Sequence, residues 1–151
     1  MKGWRIAAVP VLFVVALVAS GCGSSAKKSA TTATTSAGET ASTIMLDGQS
    51  ANSHGTKDVS GGGSQEVEVD SFYFNPTVFT AKAGDKLKLT LTNDSKTVHN
   101  FSVPELKIDR NIPAGGKTTL TVTFPKSGTL VFFCKFHRAS GMIGGLQVEK
   151  S

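Results

Sequence analysis

The stretch FFCKFHRASGM, residues 132–142, places a cysteine, a histidine and a methionine within a few positions of one another. It continues a run of β-branched and aromatic residues, which are enriched in strands. Cys134, His137 and Met142 follow the spacing C-x2-H-x4-M, and their side chains offer soft or borderline donor atoms. Two interpretations fit this stretch alone. It could be part of a metal site, or a loop whose cysteine and methionine fill the core.

The residues on either side of this stretch predict a domain built from strands. Residues 86–91 (KLKLTL), 119–124 (TLTVTF) and 66–70 (EVEVD) alternate apolar and polar side chains, which is the period of a half-buried strand. Further short strands are predicted at 98–103, 129–134 and 145–149, with turn-forming residues at 83–85, 93–95, 113–116 and 126–128. No stretch has a convincing helical period. We therefore predict an all-β fold, either an antiparallel sandwich or a small Greek-key barrel.

The N-terminal residues have the layout of a secretory signal. Positive charges at Lys2 and Arg5 precede an apolar run, residues 6–19, that is too short for a comfortable membrane span. Small residues then lead into Cys22, and this segment resembles the signal of bacterial lipoproteins, although Ala19 stands where that family usually has Leu. The resemblance implies cleavage after residue 21 and a lipid on Cys22. The alternative is an ordinary signal peptide cut nearby, which would leave a lone thiol.

Composition divides the rest of the chain into a tether and a domain. Residues 22–64 are rich in Ser, Thr, Ala and Gly, so we predict a flexible tether that follows the lipidated Cys22. Residues 65–151 form the predicted domain, whose 11 Lys and Arg and 8 Asp and Glu are spread without a basic block. A nucleic-acid partner would require clustering of the cations, so we expect none. Cys134 is the only cysteine of this domain, which excludes an internal disulfide. A bound metal would help to stabilise so small a core.

The histidines, cysteine and methionine of the predicted domain match one kind of metal site. Residues 65–151 contain two histidines, His99 and His137, one cysteine, Cys134, and one methionine, Met142. A type 1 copper site uses two imidazoles and a thiolate in a plane, with a weak axial thioether. His99 lies far from the other three in sequence, at the end of a predicted strand, so the sheet must bring it to them.

These segments resemble those of the cupredoxins, particularly the plastocyanin-like blue copper proteins. The sequence VHNF at 98–101 resembles the family's first histidine segment, and residues 133–142 resemble its ligand loop; FYFNP at 72–76 and AGD at 83–85 are similar to the opening strands of small bacterial members. The resemblance covers about the whole of 65–151. It implies one copper ion, a hydrogen bond from Asn100 across to the ligand loop, and this ligand set: His99, Cys134, His137 and Met142.

Two departures from the family pattern carry predictions. Only 34 residues separate His99 from Cys134, fewer than in typical plastocyanins, which predicts the loss of a middle strand or helix. Arg138 follows His137 directly and would put a cation close to the copper. Such a charge should favour Cu(I) over Cu(II) and would suit an acidic partner.

The resemblance implies a carrier of single electrons rather than an enzyme. We expect a monomer that is anchored through Cys22 to the extracytoplasmic face of a membrane in the cell envelope and that exchanges electrons with protein partners. A binuclear copper site is excluded because the loop has one cysteine, and zinc is disfavoured because copper stands higher in the affinity order. Two alternatives stay open, namely extracytoplasmic copper binding, storage or delivery to a copper enzyme, and a metal-free structural domain.

Overall fold

Two six-stranded sheets make up the computed structural model, which describes residues 42–150. The strands are β1 (Ser42–Leu46), β2 (Gln49–Ser53), β3 (Thr56–Asp58), β4 (Gly63–Asp70), β5 (Tyr73–Asn75), β6 (Val78–Ala81), β7 (Lys86–Asn93), β8 (His99–Val103), β9 (Ile108–Ile112), β10 (Lys117–Thr123), β11 (Thr129–Phe133) and β12 (Ile143–Val148). Two short 3-10 turns, Pro104–Leu106 and Arg138–Ser140, are the helical elements of this part of the chain. None of the helical segments described could cross a membrane.

The main core lies between the two sheets. The first sheet has the order β1-β2-β5-β4-β7-β10, and the second has the order β3-β6-β12-β11-β8-β9. Along β7, Leu87 and Leu89 are buried while Lys86 and Lys88 are exposed, as the alternation predicted. The buried leucines share one core cluster with aromatic side chains of the second sheet, including Phe132. The predicted all-β sandwich is therefore confirmed.

The pairing of the strands is mixed rather than purely antiparallel. β4 pairs with β7, β2 with β5, β3 with β6 and β6 with β12 in parallel, whereas the remaining pairs are antiparallel. The expectation of an antiparallel sandwich was wrong in this respect. Alternating side chains reveal which face of a strand is buried, but they carry no information about which strand lies next to it or in which direction it runs.

The folded domain begins well before residue 65. Residues 42–58 contain three strands, and β4 starts at Gly63, so the prediction of a flexible tether through residue 64 was wrong for this part. Few apolar side chains are needed here because β2 pairs with β5 and β3 pairs with β6, so the backbones of both strands are hydrogen-bonded to the two sheets. Leu46 and Ala51 close a second core cluster against Val78 and Ile143. Residues 1–41, with the predicted signal, Cys22 and the start of the tether, lie outside the described residues.

The second sheet holds both parts of the predicted site. β8 begins at His99 and pairs with β11, whose end leads into the ligand loop, and β12 continues from that loop. Gly144 of β12 leaves room for the ring of Phe132 on β11, because a Cβ at position 144 would collide with that ring. The span between His99 and Cys134 is short, yet it contains both β9 and β10.

Candidate metal centre

His99, Cys134 and His137 come together at one end of the second sheet. Their ligand atoms all lie within 4.8 Å of one another, and Sγ of Cys134 is 3.5 Å from Nδ1 of His137. The imidazole rings of the two histidines are 5.0 Å apart between centroids. Cys134 continues the inward register of Phe132, and both side chains are fully buried. The sheet therefore brings His99 to the loop, as the sequence required.

A hydroxyl group fixes the orientation of the His99 ring. His99 is fully buried, and its Nε2 lies 3.2 Å from Oγ of Ser95. Ser95 has one hydroxyl hydrogen, and it has two acceptors in reach, Oδ1 of Asn93 at 2.7 Å and the carbonyl of Thr97 at 3.1 Å. Oγ of Ser95 is then the acceptor for Nε2–H of His99. This hydrogen-bond network favours the tautomer with its proton on Nε2 and a lone pair on Nδ1.

That lone pair has no hydrogen-bond partner among residues 42–150. Among the buried side-chain nitrogen and oxygen atoms of the described residues, Nδ1 of His99 is the one without a hydrogen bond. A buried polar atom left in this state costs about 1–3 kcal/mol. Burial, and then the neighbouring His137, lower the pKa of His99 and so favour the neutral imidazole, which is the form that binds metals. The donor set of two imidazoles and a thiol sulfur thus fits a copper ion.

Backbone hydrogen bonds close the ligand loop. Cys134 N–H donates to the carbonyl of Met142 at 3.0 Å, His137 N–H donates to the carbonyl of Cys134 at 3.1 Å, and Met142 N–H donates to the carbonyl of His137 at 3.2 Å. Met142 is fully buried in the same core cluster as Cys134. The loop therefore returns Met142 to the strand end that carries Cys134. The role of the Met142 sulfur as an axial ligand stays a prediction.

Asn100 links β8 to the ligand loop. Its Oδ1 accepts hydrogen bonds from the backbone N–H of Lys135 at 3.3 Å and from Oγ of Ser102 at 2.6 Å. Its Nδ2 donates to Oδ1 of Asp109 at 2.6 Å, and Lys135 Nζ contacts the same oxygen at 2.9 Å. Lys135 and then Asn100 lower the pKa of Asp109. The hydrogen bond to the loop expected from Asn100 is present, whereas no pattern in the sequence pointed to Asp109.

His137 is the ligand candidate nearest the surface. It is partly buried, in contrast to His99, and the ring centroids of Phe72 and Phe136 lie 4.6 and 6.4 Å from its own. Phe72 is 38% exposed and Phe136 is 51% exposed. Together the two rings form an apolar rim around His137.

Arg138 is held by the N-terminal part of the domain. Its guanidinium carbon lies 4.1 Å from the ring centre of Phe133, and its Nε donates to Oε1 of Gln49 at 2.9 Å. That Arg138 puts a cation close to the copper stays a prediction, and the sequence did not show which residue of the chain would contact it. Gln49 could not have been foreseen as that residue, because it lies in the segment predicted to be tether.

A model of the family described as "Cupredoxin-like domain" matches residues 11–144 of the chain. The chain belongs to the cupredoxin family. His99, Cys134 and His137 of this cupredoxin are positioned to bind one copper ion.

Several solved structures resemble this cupredoxin. The metal-binding domain of the Cu(I)-exporting P-type ATPase CopA of Streptococcus pneumoniae D39, determined with Cu(I), is 14% identical, with a TM-score of 0.54 over 64% of this chain and 97% of that one. Auracyanin A, a "blue" copper protein of Chloroflexus aurantiacus, is 18% identical, with a TM-score of 0.48 over 59% and 100%. A mutant plastocyanin of fern is 28% identical, with a TM-score of 0.42 over 56% and 100%. The likeness to the CopA domain is one of fold.

Proposed function

We propose that this cupredoxin carries single electrons at a type 1 copper site. The observation that supports this most is the buried Nδ1 of His99, which has no hydrogen-bond partner in the described part of the chain and lies beside Cys134 and His137. A metal that accepts this lone pair removes the cost of leaving it unsatisfied. A thiolate with two neutral imidazoles suits copper, and Met142 would complete the set as a weak axial donor.

The residues of the chain would keep the site in one arrangement. Bound copper would supply the Cu(II)/Cu(I) couple. Ser95 holds the ring of His99, the backbone hydrogen bonds of the loop hold Cys134 against Met142, and Asn100 ties the loop to β8. A site whose geometry changes little on oxidation or reduction favours fast electron transfer. Four protein donors would leave no open position for a substrate, which supports a carrier rather than an enzyme.

Electrons would pass to protein partners through the exposed side of His137. The apolar rim of Phe72 and Phe136 allows close approach of a partner surface, because it can be dehydrated at low cost. His99 is fully buried and offers no such route. The protein acts as a monomer in this proposal.

Visible and electron-paramagnetic-resonance spectra of the copper-loaded protein test the proposal. We expect an intense thiolate-to-copper band, a type 1 spectrum and reversible voltammetry, and we expect Cys134→Ser to abolish the band. A colourless protein that gives up copper readily to a competing chelator would contradict electron transfer and favour copper delivery. A protein that binds no copper and shows no thermal shift on its addition would be a structural domain.

We also propose that a lipid on Cys22 holds the protein on the extracytoplasmic face of a membrane in the cell envelope. The sequence around Cys22 supports this, because small residues precede the cysteine and an apolar run precedes those. Cys22→Ser should release the protein from membranes in a fractionation experiment. Continued membrane association of this variant would contradict lipid anchoring at Cys22.

A further inference from the structure

We propose that Asn52 is a positioning residue for the copper ligand loop. It lies on β2, in the hairpin that β1 and β2 form, and thus in a segment whose composition gave no hint of a functional role. The hairpin would act as a strap that holds the loop between His137 and Met142. The link to copper rests on the function proposed above, whereas the strap itself is a property of the protein without metal.

Asn52 contacts the ligand loop with both its side chain and its backbone. Its Nδ2 donates one hydrogen bond to the carbonyl of Ser140 at 2.8 Å and another to the carbonyl of Phe72 at 3.0 Å. Both amide hydrogens are therefore used. Its backbone N–H donates to the carbonyl of Gly141 at 2.9 Å. One residue thus binds two consecutive carbonyl groups of the loop just before Met142.

Gly141 permits this close approach. A Cβ at position 141 would lie 2.9 Å from Oδ1 of Asn52, so a larger residue would push the hairpin away from the loop. The φ angle of Gly141 is +85°, a conformation that other residues rarely adopt. The turn Arg138–Ser140 ends at this glycine, and its N–H bonds back to the carbonyl of Arg138. The shape of the loop and its contact with Asn52 therefore depend on the same position.

The second carbonyl group that Asn52 binds connects the strap to His137. The carbonyl that accepts from Nδ2 belongs to Phe72, whose ring lies 4.6 Å from the ring of His137. Asn52 therefore holds both the backbone of the loop after His137 and the residue whose ring packs against His137. Arg138 adds a further tie from the loop to the hairpin through Gln49.

The contacts of the strap should limit opening of the ligand loop. Carbonyl groups that lose their donor can bond to water, so removing the Asn52 amide should leave the domain folded while the loop opens more often. Met142 is separated from the two bound carbonyl groups by no more than one residue, so its placement responds to the strap. Asn52 would thereby steady Met142 and His137 without touching the metal.

Amide hydrogen exchange of the metal-free full-length protein tests the strap directly. In Asn52→Ala, exchange at the N–H groups of Ser140, Gly141 and Met142 should accelerate about five- to tenfold, the effect of losing one or two hydrogen bonds at a partly exposed site. Asn52→Asp keeps the size of the side chain but cannot donate, so it should accelerate exchange at least as much. Thr43→Ala is the matched control, because Thr43 is exposed and lies opposite Asn52 in the same hairpin.

The copper-loaded protein supplies a second measurement. Transfer of copper to a chelator should be about five- to tenfold faster in Asn52→Ala than in the wild type, and unchanged in Thr43→Ala. Unchanged exchange in the loop, or exchange that rises equally in all strands, would overturn the positioning role. A wild-type protein that takes up no copper would overturn the proposed function instead, while faster exchange confined to the loop would still support the strap.

Discussion

At the scale of single residues, the arrangement around His99 depends on one hydroxyl group. Ser95 accepts from Nε2 of His99 because its own hydrogen is donated to Asn93 or to the carbonyl of Thr97, and Nδ1 is thereby left free. A ring without this contact could rotate or shift its proton to Nδ1. Loss of a hydrogen-bond partner of a metal-binding histidine typically lowers metal affinity about 10- to 100-fold. Ser95 therefore belongs to the site although it would not touch the metal.

Ser95→Ala should weaken copper binding about 10- to 100-fold, because the orientation and the proton position of His99 are no longer fixed. Competition with a chelator of known affinity measures this effect. Ser127→Ala, in the exposed turn before β11, is the control and should bind copper as the wild type does. Equal affinities of the wild type and Ser95→Ala would show that the hydroxyl does not orient His99.

Met142→Leu should keep copper bound but raise the reduction potential. Leucine nearly conserves the volume of this fully buried side chain, so the fold should tolerate it at a cost of less than about 1.5 kcal/mol. Loss of the thioether destabilises Cu(II) more than Cu(I), which favours reduction. Voltammetry of the two proteins checks the direction. An unchanged potential would argue that the Met142 sulfur is not the axial ligand.

At the scale of elements, the β1–β2 hairpin is the least expected part of the structure. It joins the first sheet through a short parallel contact between β2 and β5, and it contributes Leu46 and Ala51 to the second core cluster. Its composition resembles a flexible tether because most of its side chains are small and polar. The hairpin is stabilised by backbone pairing and by a few buried side chains rather than by an alternating apolar face.

Leu46→Ala should destabilise the protein by about 2–3 kcal/mol, because it removes a buried side chain that contacts Val78 and Ile143. Met45→Ala is the matched control, since the neighbouring Met45 is 65% exposed and should change the free energy of unfolding by less than about 0.5 kcal/mol. Denaturant unfolding of the metal-free proteins measures both. Equal, small effects would mean that the hairpin is not part of the cooperative fold.

The sequence predicted the elements whose side chains carry a pattern and missed those that depend on neighbours. β7 and β10 were predicted from Leu and Lys or Thr in alternation, and the meeting of His99 with Cys134 and His137 was predicted from the types of residue present. β1 to β3 lack such a pattern, because sheets formed by later residues stabilise them. Ser95 and Asn52 were missed for a similar reason, since Ser and Asn are common in turns and their partners are known only once the chain is folded.

At the scale of the whole molecule, two core clusters stabilise different parts of residues 42–150. The larger cluster lies between the sheets and includes Cys134 and Met142, whereas the smaller one joins the hairpin to β6 and β12. A domain that started at residue 65 would lack β1, β2, β3 and part of the smaller cluster. It would also expose Val78 and Ile143, which are buried in the complete domain.

A fragment of residues 65–151 should therefore be much less stable than a fragment of residues 42–151. We expect the longer fragment to unfold at the same temperature as the full-length protein, and the shorter one to unfold several degrees lower or to aggregate. Thermal unfolding followed by circular dichroism makes the comparison. Identical midpoints for the two fragments would show that residues 42–64 do not stabilise the domain.

Within residues 42–150, the two sheets have four edge strands, β1, β3, β9 and β10. These strands differ in how readily they would pair with a second molecule at high concentration. β3, β9 and β10 carry charged residues, which discourage strands of two molecules from pairing edge to edge. β1, with the sequence STIML, has no charge and exposes Met45. If concentrated protein self-associates, the contact should form along β1, and a single lysine at position 45 would suppress it.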